Sequence, residues 1–187
     1  SICFPRASEP SSRAPVSAIV VPSARPAGAV AHAGELAKKL ASPLIVLASK
    51  QACGKEILAE LAPLGLDRLH VVDFPDTLPD SFLKLQTSKV LEREGLSRGT
   101  DVSAKRNLAL AVCRMAGLNS VAFLDDDMRI PRPADLNAAA GLLYRHDAVG
   151  LRMEGFPDNS VVCHANRETG GFQDTFVGGG ALVAATG

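Results

Sequence analysis

Short apolar runs and amphipathic stretches alternate along the chain, and this alternation is the main guide to its structure. The apolar runs are rich in β-branched residues and end at proline or polar residues, which is typical of buried strands. We predict strands at residues 16–22, 43–49, 68–74, 120–126, 148–155 and 160–165, and a last one inside 176–186. Helical spacing of apolar residues predicts helices at residues 28–41, 54–64 and 79–94, a fourth ending at Gly117, and a fifth at 133–146. The fourth helix carries Leu108, Val112 and Met115 on one apolar face.

Strands that alternate with amphipathic helices predict an α/β fold. Right-handed βαβ units place helices on both faces of a mostly parallel sheet, which gives three layers, α/β/α. Residues 1–15, rich in Ser and Pro, are predicted to be a flexible arm, and residues 16–187 a single domain. Because ligands bind outside the carboxyl ends of such strands, the polar residues at those ends are candidates for a site. They are Ser23, Arg25, Ser49, Lys50, Asp73, Asp76 and the run Asp125–Asp127.

Composition and charge narrow the possible partners. Hydrophobic residues make up 47% of the 187, as expected of a globular domain. Twenty basic and twenty acidic side chains cancel, so charge gives no reason to expect nucleic acid or an anionic membrane. No apolar run approaches the roughly 20 residues of a membrane span. The four cysteines lack the spacing of a metal site, so we expect buried, reduced thiols: Cys3, Cys53, Cys113 and Cys163. Reduced thiols and the absence of a signal-peptide pattern lead us to expect a cytoplasmic location.

Three consecutive carboxylates, Asp125, Asp126 and Asp127, follow the predicted strand at 120–126. Adjacent like charges beside an apolar strand are unfavourable unless a positive partner compensates them. A divalent cation is one such partner, because Mg²⁺ and Mn²⁺ prefer oxygen ligands. Side chains at i and i+2 of an extended segment point the same way, so we expect Asp125 and Asp127 to face one site and Asp126 another. A solvated strand end, or caps for the next helix, is the alternative.

Lys105 and Arg106 lie in the first turns of the fourth predicted helix. Cations are unfavourable at a helix N-terminus unless an anion is nearby, and anions commonly bind there. Next to an acidic strand end that binds a metal, this pair is expected to hold a phosphate group. Ordinary surface charge is the alternative.

The stretch "SAKRNLALAVCRMAGLNSVAFLDDDM" (residues 103–128) resembles the family 2 glycosyltransferases of the GT-A fold. The match consists of the basic-Arg-Asn helix start, the Ala-Gly pair, and the Phe-Leu strand end that leads into D-x-D. "VSAIVVPSARP" and "PLIVLAS" match the family's opening strands, so the pattern of elements extends over about residues 16–187.

The resemblance implies roles for particular residues. Asp125 would contact the nucleotide ribose, and Asp127, with Asp125, would hold the divalent metal that bridges the donor diphosphate. Pro22, Ser23 and Arg25 would approach the nucleotide base. Other substrate-binding candidates share the same edge of the sheet: Ser49, Asp73, Lys105, Arg106 and Asp126.

Two features depart from the family pattern. The second strand ends in Ala48-Ser49-Lys50-Gln51, where the family has acidic-Gly-Ser residues that hold the base. The family's general base belongs to an acidic pair that follows the segment resembled by residues 176–187, so we expect it beyond Gly187 or a different arrangement of the chemistry. The nearest acidic residues are assigned no role: Glu154, Asp158, Glu168 and Asp174.

The resemblance therefore implies a metal-dependent glycosyltransferase. It would move a hexosyl group, with inversion, from a nucleoside diphosphate sugar to a sugar, lipid or small-molecule acceptor, using Mn²⁺ or Mg²⁺. Two alternatives remain open at this point: a non-catalytic GT-A-like nucleotide-binding module, and a nucleotidyltransferase on a similar fold.

Overall fold

A computed structural model describes residues 15–75, 86–96, 100–151 and 180–187. Its strands are β1 (Ala18–Ser23), β2 (Leu44–Ala48), β3 (Leu69–Asp73), β4 (Ser120–Leu124), β5 (Ala148–Gly150) and β6 (Ala181–Ala185). Its helices are α1 (Ala31–Leu40), α2 (Gly54–Leu61), α3 (Gln86–Arg93), α4 (Val102–Met115) and α5 (Ala134–Gly141). Short 3-10 turns precede α1 and follow α2 and α5.

The described strands form one sheet in the order β3-β2-β1-β4-β6-β5. Neighbours among β1 to β4 run parallel, whereas β6 is antiparallel to both β4 and β5. The chain winds from β1 out to β3 and then returns to the other side of β1 with β4. The prediction of a mostly parallel α/β sheet is confirmed.

Helices cover both faces of this sheet, as the three-layer prediction requires. Alternate residues of β1 point to opposite faces, because side chains along a strand alternate. Ile19 and Val21 pack in a core with α1, α2 and α5, whereas Ala18 and Val20 pack in a second core with α4. The central strands β1, β2 and β4 are buried on both faces and are therefore mostly apolar.

The face on which α4 packs differs from the prediction. Val112 and Met115 are 41% and 83% exposed. The buried residues of α4 lie on another stripe: Ala104, Lys105, Ala109 and Cys113. Small side chains let the helix backbone approach the sheet closely, and of the larger apolar residues Leu110 packs against this core whereas Val112 and Met115 do not.

A crevice opens where β1 and β4 separate. Pairing of β1 with β2 continues to Ser23, but pairing with β4 covers only Ala18 to Val20. Pro22 lies beyond that point, where its missing N–H removes no hydrogen bond to β4. The order in which the chain adds strands reverses between these two strands, from β2 and β3 on one side of β1 to β4 on the other, and such switch points are where open α/β sheets bind ligands.

Several sequence predictions fall partly or wholly outside the described residues. They are most of the 1–15 arm, the first part of the helix at 79–94, Asp76, the strand at 160–165, and the acidic residues Glu154, Asp158, Glu168 and Asp174. Of the two described cysteines, both free thiols, Cys113 is buried as expected but Cys53 is exposed. Within the described ranges, no helix combines the length and the apolar character that crossing a bilayer demands.

Candidate functional site

Asp126 is anchored to the end of β1. Its Oδ2 accepts a hydrogen bond from Ser23 Oγ at 2.8 Å and one from the Ala24 backbone N–H at 3.3 Å. Its side chain is 10% exposed. Asp126 therefore links the end of β4 to the end of β1, beyond the point where the pairing of these two strands stops.

Arg25 lies over two of the three aspartates. Its Nη2 donates to Asp127 Oδ2 at 2.8 Å, and its Nε is 3.4 Å from Asp126 Oδ1. We expected Asp125 and Asp127 to share a direction, with Asp126 turned away. Instead, Asp126 and Asp127 share one guanidinium, because the chain turns immediately after β4 and the alternation of an extended strand no longer applies.

Asp125 has a different cation. Its Oδ1 accepts a hydrogen bond from Arg106 Nη2 at 2.7 Å, and its backbone N–H donates to Gly180 O at 2.7 Å. Burial raises the pKa of Asp125 above its ordinary value; Arg106 opposes the rise, and the charges on Asp127 and Asp126 add to it. Two arginines from different elements therefore compensate the acidic run.

Arg106 keeps part of its hydrogen-bonding capacity unused. The guanidinium lies 5.9 Å from the centroid of the Phe123 ring. Its Nε is buried and has no hydrogen-bond partner among the described residues. A buried donor without a partner is unfavourable.

Lys105 does not face solvent, in contrast to the phosphate-binding role expected for it. It is 1% exposed, and its Nζ donates to Ser23 O at 2.8 Å and to Ser49 Oγ at 2.6 Å. Asp101, one turn earlier in the chain, is 3.2 Å away. Burial lowers the pKa of Lys105, although Asp101 opposes this effect. The ammonium thus connects the ends of β1 and β2 to the start of α4, and its donors are taken up by the protein.

The remaining candidates lie at the predicted edge but are engaged in the fold. Pro22 is a buried residue within β1 and not part of the turn after it. Ser49 is 6% exposed and bound to Lys105. Asp73, at the end of β3, accepts a hydrogen bond from the Gly54 N–H at 2.8 Å and so occupies the N-terminus of α2. Among the residues expected near the base, Arg25 has the most accessible side chain, at 54% exposed.

Two residues at the site escaped the sequence reasoning. A Cβ on Gly180 would lie 2.3 Å from Met128 Cγ and 3.1 Å from Asp125 Oδ2, so only glycine fits beside the acidic turn. The Gly178-Gly179-Gly180 run was visible in the sequence, but nothing local linked it to Asp125. His32 accepts a hydrogen bond from the Ile130 N–H at 2.8 Å, and burial lowers the pKa of the imidazole.

A cavity of about 210 Å³ lies between the start of α1 and the acidic turn. Charged and polarisable side chains supply much of its lining: Arg25, His32, Glu35, Asp127, Met128 and Arg129. Asp127 therefore faces an open space, and the space carries both signs of charge.

The oxygen donors of the acidic turn are suited to a hard divalent cation. Among the described residues, no group of three or more His, Cys, Asp or Glu side chains is arranged to hold a metal. Asp125 and Asp127 are 41% and 31% exposed and offer hard oxygen donors. Mg²⁺ is commonly held by one or two carboxylates together with waters and substrate phosphates, and this donor set fits that pattern.

Comparison with known proteins supports the fold. No protein-family model and no curated protein sequence matches the chain. The mannosyl-3-phosphoglycerate synthase from Rubrobacter xylanophilus superposes with a TM-score of 0.52 at 17% identity, over 91% of this chain and 54% of that one. The mannosyltransferase PcManGT from Pyrobaculum calidifontis, solved with GDP-Man and Mn²⁺, gives 0.44 at 17% identity, over 79% and 40%.

The chain spans about half the length of the first of these structures. This synthase is a glycosyltransferase of the GT-A type, so the resemblance noted in the sequence is confirmed for the fold. At this identity the likeness concerns architecture.

Proposed function

We propose that this chain carries the donor site of a GT-A-type glycosyltransferase, which moves a hexosyl group from a nucleoside diphosphate sugar to a hydroxyl-bearing acceptor with Mn²⁺ or Mg²⁺. The observation that carries the proposal is the position of the acidic turn. Asp125 and Asp127 follow the central strand β4 at the switch point of the sheet, in an open crevice flanked by Arg25 and Arg106.

Asp127 and Asp125 are the residues proposed to hold the metal. Their carboxylates are partly exposed, whereas Asp126 is taken up by the end of β1. When bound, the ion supplies Lewis-acid stabilisation of the charge that develops on a leaving diphosphate. Asp126 serves the site indirectly, because its bonds to β1 fix the turn that carries its two neighbours.

Arg106 is the residue proposed to bind the diphosphate. Its side chain is 31% exposed at the crevice, and its Nη2 is held by Asp125. A planar guanidinium already oriented by a carboxylate and an aromatic ring loses little side-chain entropy when it binds an anion. Lys105 supports this arrangement from beneath, since its ammonium fixes the strand ends on which the crevice is built.

Turnover of the donor tests the proposal. The chain is incubated with uridine, guanosine, thymidine and cytidine diphosphate sugars, with Mn²⁺, Mg²⁺ or a chelator, and the released nucleoside diphosphate is measured with and without hydroxyl acceptors. We expect metal-dependent release from at least one donor. Asp127→Asn should lower the rate at least about a hundredfold, because a direct ligand of the ion is lost.

Asp67→Asn is the matched control, because Asp67 precedes β3 and so lies at the opposite edge of the sheet. It should leave the rate unchanged. If a donor binds but no turnover is seen under any of these conditions, the proposed enzymatic activity is contradicted, and a nucleotide-binding module is the remaining interpretation.

A further inference from the structure

Asp127 depends on one partner. Within the described part of the chain, its carboxylate has a single hydrogen-bond partner, Arg25 Nη2, at 2.8 Å. Asp126 differs, because Ser23 and Ala24 bind it in addition to Arg25. Removing Arg25 would therefore leave Asp126 anchored and Asp127 without a bonded cation.

Arg25 itself is only loosely attached. Its side chain is 54% exposed, and the contacts found for its guanidinium are those to Asp126 and Asp127. It borders the cavity of about 210 Å³ that Asp127 also lines. The guanidinium can therefore leave Asp127 without any change in the packing of the core.

We propose that Arg25 occupies the cation position of the acidic turn and sets the affinity of the site for divalent metal, because Arg25 and the metal ion compete for Asp127. This inference rests on the proposed role of Asp127 as a metal ligand. Two cations on one carboxylate repel each other, so the ion binds at the expense of the Arg25–Asp127 ion pair. The arginine lowers affinity for free metal and keeps Asp127 compensated when no metal is bound.

Titration of the chain with Mn²⁺ alone, without nucleotide, tests the competition. Free Mn²⁺ is measured by electron paramagnetic resonance at about 0.15 M salt, where the Debye length is about 8 Å. We expect Arg25→Gln to bind Mn²⁺ roughly three- to tenfold more tightly than the wild type, as befits the loss of one exposed ion pair. Arg25→Lys should give an intermediate affinity, because a single ammonium cannot match the two-point contact of the guanidinium.

Arg129→Gln is the matched control. Arg129 lines the same cavity, two residues after Asp127, and has no ion pair with any described residue. Arg129→Gln removes the same charge as Arg25→Gln but no contact to Asp127, so the effect of Arg129→Gln on Mn²⁺ affinity should be clearly smaller. Equal tightening in the two variants would mean a general field effect and would overturn the competition, as would unchanged or weaker binding in Arg25→Gln.

Asp127→Asn separates this inference from the proposed function. If Asp127→Asn binds Mn²⁺ as tightly as the wild type, the metal role of Asp127 fails, and the competition fails with it. If Asp127→Asn loses Mn²⁺ but Arg25→Gln gains nothing over Arg129→Gln, the competition alone is wrong. If the wild type binds too weakly to measure, Arg25→Gln must still bind measurably for the inference to stand.

Discussion

At the scale of single residues, two arginines and the end of β1 together compensate the charge of the acidic run. Asp125 pairs with Arg106 from α4, Asp126 is bound by the end of β1, and Asp127 pairs with Arg25. Three adjacent carboxylates are tolerated because each has its own donors. The two partly exposed members remain available for a ligand, which is the basis of the proposed donor site.

The ion pair between buried Lys105 and partly exposed Asp101 should make stability depend on pH. Burial opposes the charge of Asp101, but the hydrogen bond from Ser49 and the charge of Lys105 outweigh it, so its pKa lies below the ordinary 3.8. A carboxylate with a lowered pKa stabilises the fold above 3.8 and loses that contribution as the pH falls through the lowered value.

We expect Asp101→Asn to reduce the free energy of unfolding by about 1 kcal/mol at pH 7, the magnitude of one typical hydrogen bond. The difference from the wild type should shrink below about pH 4. Urea unfolding at several pH values measures it. Asp147→Asn, at an exposed position, is the control and should change little. A deficit that stays constant as the pH falls from 4 until the wild type itself unfolds would show that the charge of Asp101 is not the cause.

At the scale of elements, the start of α2 depends on a residue of another element. Cys53, the residue before the helix, makes no side-chain cap, and the Asp73 carboxylate from β3 accepts the Gly54 N–H instead. A carboxylate at a helix N-terminus satisfies a free N–H and interacts favourably with the helix dipole.

Asp73→Ala should therefore lower the free energy of unfolding by about 1 kcal/mol. Thermal or urea unfolding measures the change, and Asp67→Ala, six residues after the end of α2 and with no cap to lose, serves as the comparison. Equal stability of the two variants would mean that Asp73 is not a cap. In that case its role as a substrate contact would regain support.

The sequence predicts an element well where the element's own residues determine its structure. It predicts an element poorly where packing against the rest of the fold determines which face is buried. The runs of β1, β2 and β4 are apolar except for Ser23 and Ser120 at strand ends, so their type follows from the sequence alone. For α4, the most apolar stripe, Val112 and Met115, points outward. The sheet instead accepts Ala109 and Cys113, whose small side chains permit close approach, and no local pattern shows that need.

The site was predictable to a similar extent. Its place, at the carboxyl edge beside Asp125–Asp127, follows from the order of strands and helices. The assignment of partners does not, since Lys105 and Arg106 are adjacent in sequence and yet one is buried under the strand ends while the other reaches Asp125. Which side of α4 faces the sheet determines this division.

At the scale of the whole molecule, the sheet order explains why one crevice collects these groups. β1 and β4 are neighbours in space but about a hundred residues apart in sequence, and they separate after three paired residues. The antiparallel β6 then brings Gly180 against Asp125 from the other side. An apolar run of residues does not show whether a strand is parallel or antiparallel to its neighbours, so the contact between Gly180 and Asp125 was not predictable from the sequence.

Thermal unfolding with nucleoside diphosphates tests the central claim most directly. Uridine, guanosine, thymidine and cytidine diphosphates are added with Mn²⁺ or with a chelator. We predict that at least one raises Tm by about 5 °C or more when Mn²⁺ is present and the nucleotide is at about 100 times Kd. Asp127→Asn should lose the part of the shift that requires metal. The absence of any shift, or an equal shift in the chelator, would contradict a metal-dependent donor site at the acidic turn.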